Sequence, residues 1–252
     1  MEKLCQKFIS SAADFLVVHS NNEIKALPFS SRLLVLDSSF NPPHLGHFNL
    51  VHRAVEHFKH HGQTCSVLLQ LSVNNADKAP QPASFPHRLE MMQVFAQELQ
   101  SQLGCNCLVA LTKHGKFLDK SEAIKEGLGR DLHIVYLLGF DTLIRLFDPK
   151  YYKPISVQES LAEFMQNTEL FCLTRDCQNG EQMNWVRECE NVPEQWEQKI
   201  ILEHNSDSKT NSISSSNVRN IVKESPNSQD LSKFLPDSVT KYLKLHDSKN
   251  IF

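Results

Sequence analysis

Hydrophobic and polar positions along the chain follow two rhythms. Some short runs are apolar at nearly every position: "LLVLDS" (33–38), "CSVLLQLSV" (65–73), "CLVALT" (107–112), "LHIVYLLG" (132–139), "ELFCLTR" (169–175) and "KIILEH" (199–204). Such runs predict strands buried on both faces. Between them the apolar residues recur every three or four positions, as at Phe48, Val51, Val55 and Phe58 after Gly46, and at Leu89, Met92, Phe95, Ala96 and Leu99 within 87–103. That spacing predicts helices. Shorter helical stretches follow at 120–128, 142–147, 216–224 and 236–246, the last with Pro236 near its start. Strands alternating with helices, the strands apolar throughout, predict an α/β fold: a doubly wound parallel sheet with helices on both faces. One domain is expected over 31–252, preceded by an N-terminal helical extension over 1–30. The stretch "NSDSKTNSISSSN" (205–217) reads by itself as a mobile loop.

Composition narrows the function classes. A chain of 252 residues, 40% of them hydrophobic, is long enough for one substantial core. A net charge of −3 does not point to nucleic acid or an anionic membrane as a partner, so any anion is met by a local site. No apolar run approaches the roughly 20 residues that span a bilayer. The first twenty residues carry Glu2 and Asp14, no arginine and no long apolar stretch, so neither a secretory nor a mitochondrial leader is expected. The seven cysteines are odd in number. Cys105 and Cys107 have no second Cys or His pair that would complete a zinc site. Reduced thiols in the cytosol or nucleus are expected.

The stretch "VLDSSFNPPHLGHFNLVHRAV" (35–55) carries the candidate chemistry. In a doubly wound sheet, ligands sit beyond the carboxyl ends of the strands. His44 follows the first predicted strand by a few residues, and His47 falls in the first turn of the next helix. There the unpaired N–H groups and the positive end of the helix dipole favour an anion. Three readings of the pair stand: a phosphate cradle, a metal site, or an incidental surface pair. A metal site needs a third ligand, and His52, His57, His60 and His61 lie further along the helix, pointing elsewhere. A second candidate is "ISSSNVR" (213–219). Ser214, Ser215 and Ser216 suit a helix start, and Arg219, one turn in, can fork onto phosphate oxygens. By itself this stretch reads as a polar loop and a routine helix cap.

Together the two stretches resemble the HxGH nucleotidyltransferase superfamily. "SSFNPPHLGH" (38–47) is similar to its signature, whose usual form begins Gly-Ser-Phe-Asn-Pro, and "ISSSNVR" to its Ile-Ser-Ser-Thr-x-x-Arg element. Smaller features look like the nicotinamide-mononucleotide (NMN) adenylyltransferases of eukaryotic type: "SVNNADK" (72–78), "FPHRLEMM" (85–92), "LLGFDTL" (137–143), "PKYYK" (149–153), "LFCLTRD" (170–176) and "VTKYLKLH" (239–246).

The resemblance implies a Rossmann-like nucleotidyltransferase domain that joins NMN to the AMP part of ATP, giving NAD and pyrophosphate. It implies catalytic roles for His44, His47 and Arg219. Ser39, Phe40, Gly46, Gly139, Asp141, Ser214 and Ser215 would hold ATP. Lys78, Arg88, Phe117, Tyr152 and Arg175 would hold the mononucleotide, with Phe117 and Tyr152 stacking the pyridine ring. Mg²⁺ would be bridged by substrate phosphates rather than held by protein ligands. Two alternatives remain: transfer to another phosphorylated acceptor, such as phosphopantetheine or a phospho-alcohol, and a nucleotide-binding regulator without turnover. Three departures stand out. Ser38 replaces the leading glycine, with Asp37 before it where a charge would repel a triphosphate. Phe117 and Tyr152 stand where the family has tryptophans. Ser216 replaces threonine.

Overall fold

The computed structural model describes residues 1–20, 31–73, 83–174, 180–224, 229–246 and 251–252. Its centre is a seven-stranded sheet: β1 (Phe15–Ser20), β2 (Ser31–Asp37), β3 (Thr64–Ser72), β4 (Asn106–Thr112), β5 (His133–Gly139), β6 (Thr168–Leu173) and β7 (Ile200–Glu203). The spatial order is β1-β4-β3-β2-β5-β6-β7. All neighbours are parallel except β1, which runs antiparallel to β4.

The continuous apolar strands are what a sheet covered on both faces requires. Successive side chains point to opposite faces, so each strand feeds two cores. Leu34 and Leu36 of β2 and Val67 and Leu69 of β3 join one core. That core is closed by α1 (Glu2–Ser10), α2 (Leu45–His60), α3 (Phe85–Leu103), α10 (Ser215–Glu224) and α11 (Asp237–Leu245). Leu33, Val35, Leu68 and Tyr136 face the other core. It is closed by α4 (Phe117–Leu128), α5 (Phe140–Leu146), α6 (Val157–Asn167), α7 (Glu181–Glu188) and α8 (Glu194–Glu197). The helix α3 shows how sequence sets an element. Pro86 sits in its first turn, Leu89, Met92, Phe95, Ala96 and Leu99 are buried along one face, and Gly104 ends it at φ +63°. Burying Phe95 alone stabilises the fold by about 1.5–3 kcal/mol.

Residues 1–30 were expected to be helix and loop outside the sheet. The helix is present as α1, but Phe15–Ser20 extends the sheet as β1, with Phe15 opposite Thr112 and Ser20 opposite Leu108. Every residue of β1 is half-buried, as befits an edge strand, so its pattern lacks the burial that marks the central strands. The Ser/Asn-rich stretch 205–217, read as a loop, instead holds the short α9 (Ser208–Asn211) and the start of α10.

The topology fixes where a ligand can enter. The strand β2 pairs with β3 on one side and β5 on the other. The chain leaves β2 toward β3 and β4, then returns to β5 on the opposite side. The connections therefore diverge at the carboxyl ends of β2 and β5, and a crevice opens there.

Candidate active site

The crevice is a cavity of about 250 Å³ lined by Asp37, Ser38, His44, Gly46, His47, Gly139, Asp141, Thr174, Asn205, Thr210 and Asn211, among others. His44 and His47 start α2 in an unusual way. The His44 ring takes the place of the usual Ser or Asp cap, its Nδ1 accepting from Gly46 N at 3.1 Å. His44 N donates to His47 Nδ1 at 3.1 Å, completing a reciprocal capping box. Because both Nδ1 atoms accept, each neutral ring carries its proton on Nε2. His47 Nε2 donates to Ser38 Oγ at 3.1 Å. The local hydrogen bonds thus set both tautomers and make each Nε2–H a donor, as an anion requires.

Gly46 is needed for this packing. A Cβ there would lie 3.0 Å from His44 Cε1 and Nδ1 and 3.6 Å from Thr210 O. The loop before α2 turns at Phe40, whose φ is +44°. A phenylalanine in the left-handed region costs about 1–3 kcal/mol. The completely buried Phe40 ring, 5.2 Å from that of His47, holds the turn in place.

The element at 213–219 meets the same loop from the other side. Ser214 Oγ accepts from Asn217 N at 3.2 Å and caps α10. Ser215 Oγ donates to Pro42 O at 3.1 Å. Arg219 donates from Nη1 to Asn41 O at 2.8 Å and from Nη2 to Ser216 Oγ at 2.9 Å. Arg88, buried in α3, donates through Nε to Ala83 O at 2.9 Å, while Ala83 N donates to Asn41 Oδ1 at 3.4 Å. Burial pushes the Arg88 guanidinium down to about 10, and the positive charge of Arg219 pushes it the same way. Burial also lowers Arg219. Among the described residues neither guanidinium forms an ion pair with a carboxylate. Two cations are held together around one loop, with N–H donors left over.

The departures from the signature acquire roles. Ser38 holds the His47 ring, and its own N–H donates to Gln70 O at 3.2 Å. Asp37 lines the cavity, but its Oδ2 accepts from Lys120 Nζ at 2.6 Å, an ion pair that neutralises most of the charge feared from the sequence.

The structure brings His44, Gly46, His47, Gly139 and Asp141 to one cavity and ties Ser214, Ser215, Arg219 and Arg88 to its loop. Ser39 and Phe40 sit in that loop, with Phe40 in the core rather than exposed. Phe117 and Tyr152 lie elsewhere, against the second core. The Phe117 ring stands edge-on to Tyr136 at 5.0 Å. Tyr152 donates to Leu146 O at 2.6 Å, and burial raises its hydroxyl to about 12. Lys78 and Arg175 lie outside the described residues.

Sequence reasoning missed a polar girdle on the far wall. Asn49 Nδ2 donates to Asn205 Oδ1 and Thr210 Oγ1, both at 3.0 Å, and Asn205 Nδ2 donates to Asn211 Oδ1. These bonds fasten α9 to α2. Asn49 falls on the helix two positions after His47, a polar residue among apolar ones, and that was the available signal.

The sequence profile of the cytidylyltransferase-like family matches residues 35–221, a span that runs from β2 through the Arg219 element. The chain belongs to the cytidylyltransferase-like family. It is 32% identical over 250 residues, 96% of its own length and 94% of the other's, to a Schizosaccharomyces pombe protein named as a candidate nicotinamide mononucleotide adenylyltransferase. Two solved structures are similar in fold. The Plasmodium falciparum nicotinic acid mononucleotide adenylyltransferase complexed with NaAD aligns at TM-score 0.59 and 15% identity, covering 88% of this chain and 98% of that one. A candidate nicotinate-nucleotide adenylyltransferase of Vibrio parahaemolyticus aligns at TM-score 0.51 and 17% identity, covering 88% and 97%. At those identities they bear on the doubly wound architecture alone.

Proposed function

We propose that this family member is an adenylyltransferase that joins a pyridine mononucleotide to the AMP part of ATP, releasing pyrophosphate and forming NAD or its acid counterpart. The observation that carries the reading is the capped pair His44 and His47, with both Nε2–H donors set by the backbone, on a loop that Arg219 also bonds. The named relative of S. pombe supports the same acceptor class.

The reaction needs no protein nucleophile. A phosphate oxygen of the mononucleotide attacks the α-phosphorus of ATP in line; the new O–P bond forms as the α–β bridging bond breaks, and pyrophosphate leaves with the electron pair. The protein positions two anions and spreads the developing charge. His47 turns its Nε2–H from Ser38 Oγ to a phosphate oxygen nearest the transferred group, and His44 donates to its neighbour. Arg219 holds the departing pyrophosphate with Ser214 and Ser215. Gly139 and Asp141, at the end of β5 and start of α5, receive the adenosine. Lys78, Arg88 and Arg175 take the mononucleotide phosphate. The donor set at the loop is imidazole, guanidinium and hydroxyl, which suits anions rather than a hard cation. Among the described residues no three His, Cys, Asp or Glu side chains converge. Mg²⁺ would be carried on the phosphates, where it would neutralise part of their charge.

The test is purified protein with ATP, Mg²⁺ and a panel of acceptors (NMN, nicotinic acid mononucleotide, phosphopantetheine and a phospho-alcohol), read as released pyrophosphate, with His47→Ala as control. Turnover confined to the mononucleotides and lost in the control supports the reading. Turnover with another acceptor, or ATP binding without turnover, replaces it.

A further inference from the structure

Three cysteines gather at the amino ends of β3 and β4, the end of the sheet away from the crevice. The register pairs Ser66 with Asn106 and Val67 with Cys107, so Cys65 and Cys105 stand side by side just before the first pair. All three pack into the core under α2 and α3. Cys107 is completely buried, Cys105 is 6% exposed and Cys65 is half-buried. Adenylyl transfer uses none of them. Nor are they metal ligands: among the described residues no three His, Cys, Asp or Glu side chains are placed to hold an ion.

The Cys105 and Cys107 sulfurs are 4.0 Å apart, and the Cys107 thiol lies 3.7 Å from Cys105 O. The three thiols are not equivalent. The bond from Cys107 favours a thiolate at Cys105, and so does the positive charge of Lys59, whose Nζ donates to Leu103 O close by. The Cys107 thiol is pushed up, by that same bond and by burial. Burial and the neighbouring Cys105 push Cys65 up to about 11. One nucleophilic sulfur therefore stands near the rim with a protonated thiol in contact behind it. Cysteines that sense oxidants have this arrangement, a thiolate beside a resolving thiol.

The backbone allows the two sulfurs to join. Residues two apart on an extended strand have α-carbons about 6.6 Å apart, inside the disulfide range of about 4.4–6.8 Å. Cys105 lies outside the strand, in the bend that leads from Gly104 into β4. Tightening of that bend closes the gap.

We propose that Cys105 and Cys107 form an oxidisable dithiol, a modification site at which a hydroperoxide converts two thiols into one disulfide. The Cys105 thiolate attacks one peroxide oxygen; the S–O bond forms, the O–O bond breaks, and the departing hydroxide takes a proton to become water. The Cys107 sulfur then attacks Cys105 Sγ; the S–S bond forms, the S–O bond breaks, and hydroxide leaves with the Cys107 proton as a second water. Two sulfurs give up two electrons and the peroxide gains them. Only the first step needs access to solvent, so the buried Cys107 is no obstacle. A transient disulfide of this kind suits a compartment whose resting thiols are reduced.

The experiment exposes folded protein to a few molar equivalents of hydrogen peroxide. The reaction is quenched with N-ethylmaleimide in denaturant, and the intact mass and fragment spectra are read. The wild type should lose two hydrogens and two alkylated thiols, with the bond mapped to Cys105 and Cys107, and dithiothreitol should restore both. Cys107→Ala should lose no hydrogens, and its Cys105 sulfenic acid should be trapped by dimedone, which the wild type escapes. Cys65→Ala should behave as the wild type does. A wild type that keeps all its thiols, a bond that includes Cys65, or a loss of two hydrogens that persists in Cys107→Ala overturns the inference. The wild-type map decides by itself should a variant fail to fold, and none of these outcomes bears on adenylyl transfer.

Discussion

The imidazole rings of His44 and His47 are stacked, their centres 3.8 Å apart and their planes 28° from parallel. Each ring both caps α2 and presents an Nε2–H donor, so structure and chemistry separate only in well-chosen variants. His44→Asn keeps a capping oxygen and removes the Nε2–H donor. It should retain the wild-type Tm and lower kcat. His47→Ala removes a transition-state donor and should lower kcat by about 10²–10³. His44→Ala loses the cap as well, destabilising the protein by about 0.5–2 kcal/mol. Pyrophosphate release and thermal unfolding on the three variants check this. A His47→Ala enzyme within a few-fold of wild type would remove His47 from the chemistry.

Gly46 is where the packing of the rings can be disturbed without touching either. In Gly46→Ala the new Cβ would sit 3.0 Å from two atoms of the His44 ring. The ring must tilt, and its bond to Gly46 N lengthens. Turnover should fall about tenfold or more, because a small misplacement at a reacting site is costly. The far-UV spectrum should stay that of the wild type. Steady-state kinetics beside circular dichroism test the expectation.

Arg88 and Arg219 repel one another around the loop. The sign of the effect follows from the lowered Arg88 pKa. Folding disfavours its charged form, so the group destabilises the protein at pH 7, and that penalty is relieved only as pH rises through about 10. An anion placed between the two guanidiniums relieves it at neutral pH. Pyrophosphate should therefore raise the Tm of the wild type, by the mass-action stabilisation of any ligand of the folded state. The rise should shrink in Arg219→Ala and with added salt. Differential scanning calorimetry across a pyrophosphate titration measures it.

Much of this site can be traced from the sequence, and the rest has a physical reason for being hidden. Strands β2 to β6 announce themselves because both faces are buried, β7 by its apolar run although only Ile200 is buried, and the histidine pair because its spacing matches a helix start after a strand. The helix α6 is equally legible: Val157, Leu161, Phe164 and Met165 have helical spacing after Ser156, whose Oγ accepts from Glu159 N at 3.1 Å. The strand β1 was not legible, because an edge strand satisfies only one side and its six residues are all half-buried. Nor was the site's charge balance. Asp37 finds Lys120 83 residues away, and Asn49 finds Asn205 156 residues away. Spacing along a chain carries no trace of such pairings. Phe117 and Tyr152 were placed by resemblance, and their packing against the second core is a tertiary fact.

The polar girdle of Asn49, Asn205 and Thr210 should act on ATP binding through α9. Asn205 is 8% exposed and lines the cavity. Asn205→Ala removes the side-chain bonds to Asn49 and Asn211, and should destabilise the protein by about 1–3 kcal/mol. The larger expected consequence is an ATP KM raised about tenfold with kcat nearly unchanged, because α9 forms a wall of the cavity and carries none of the transferred charge. Urea unfolding and initial rates against ATP concentration test the two halves separately. A fall in kcat at unchanged KM would put Asn205 in the chemical step.

The ion pair between Lys120 and Asp37 makes a second long-range pairing testable. The two side chains are 5% and 15% exposed, and the separation is 2.6 Å. Removing one member of a buried pair strands the other's charge, at a cost of about 3–5 kcal/mol. Lys120→Met should therefore lower the Tm sharply and leave an uncompensated carboxylate at the cavity wall, weakening ATP as well. Asp37→Asn added to Lys120→Met removes that charge and should recover most of both losses. Thermal unfolding and ATP titration of the single and double variants measure the coupling. Additive losses, with no recovery in the double variant, would mean that Lys120 serves the fold by packing its aliphatic chain and that Asp37 is neutralised by something else.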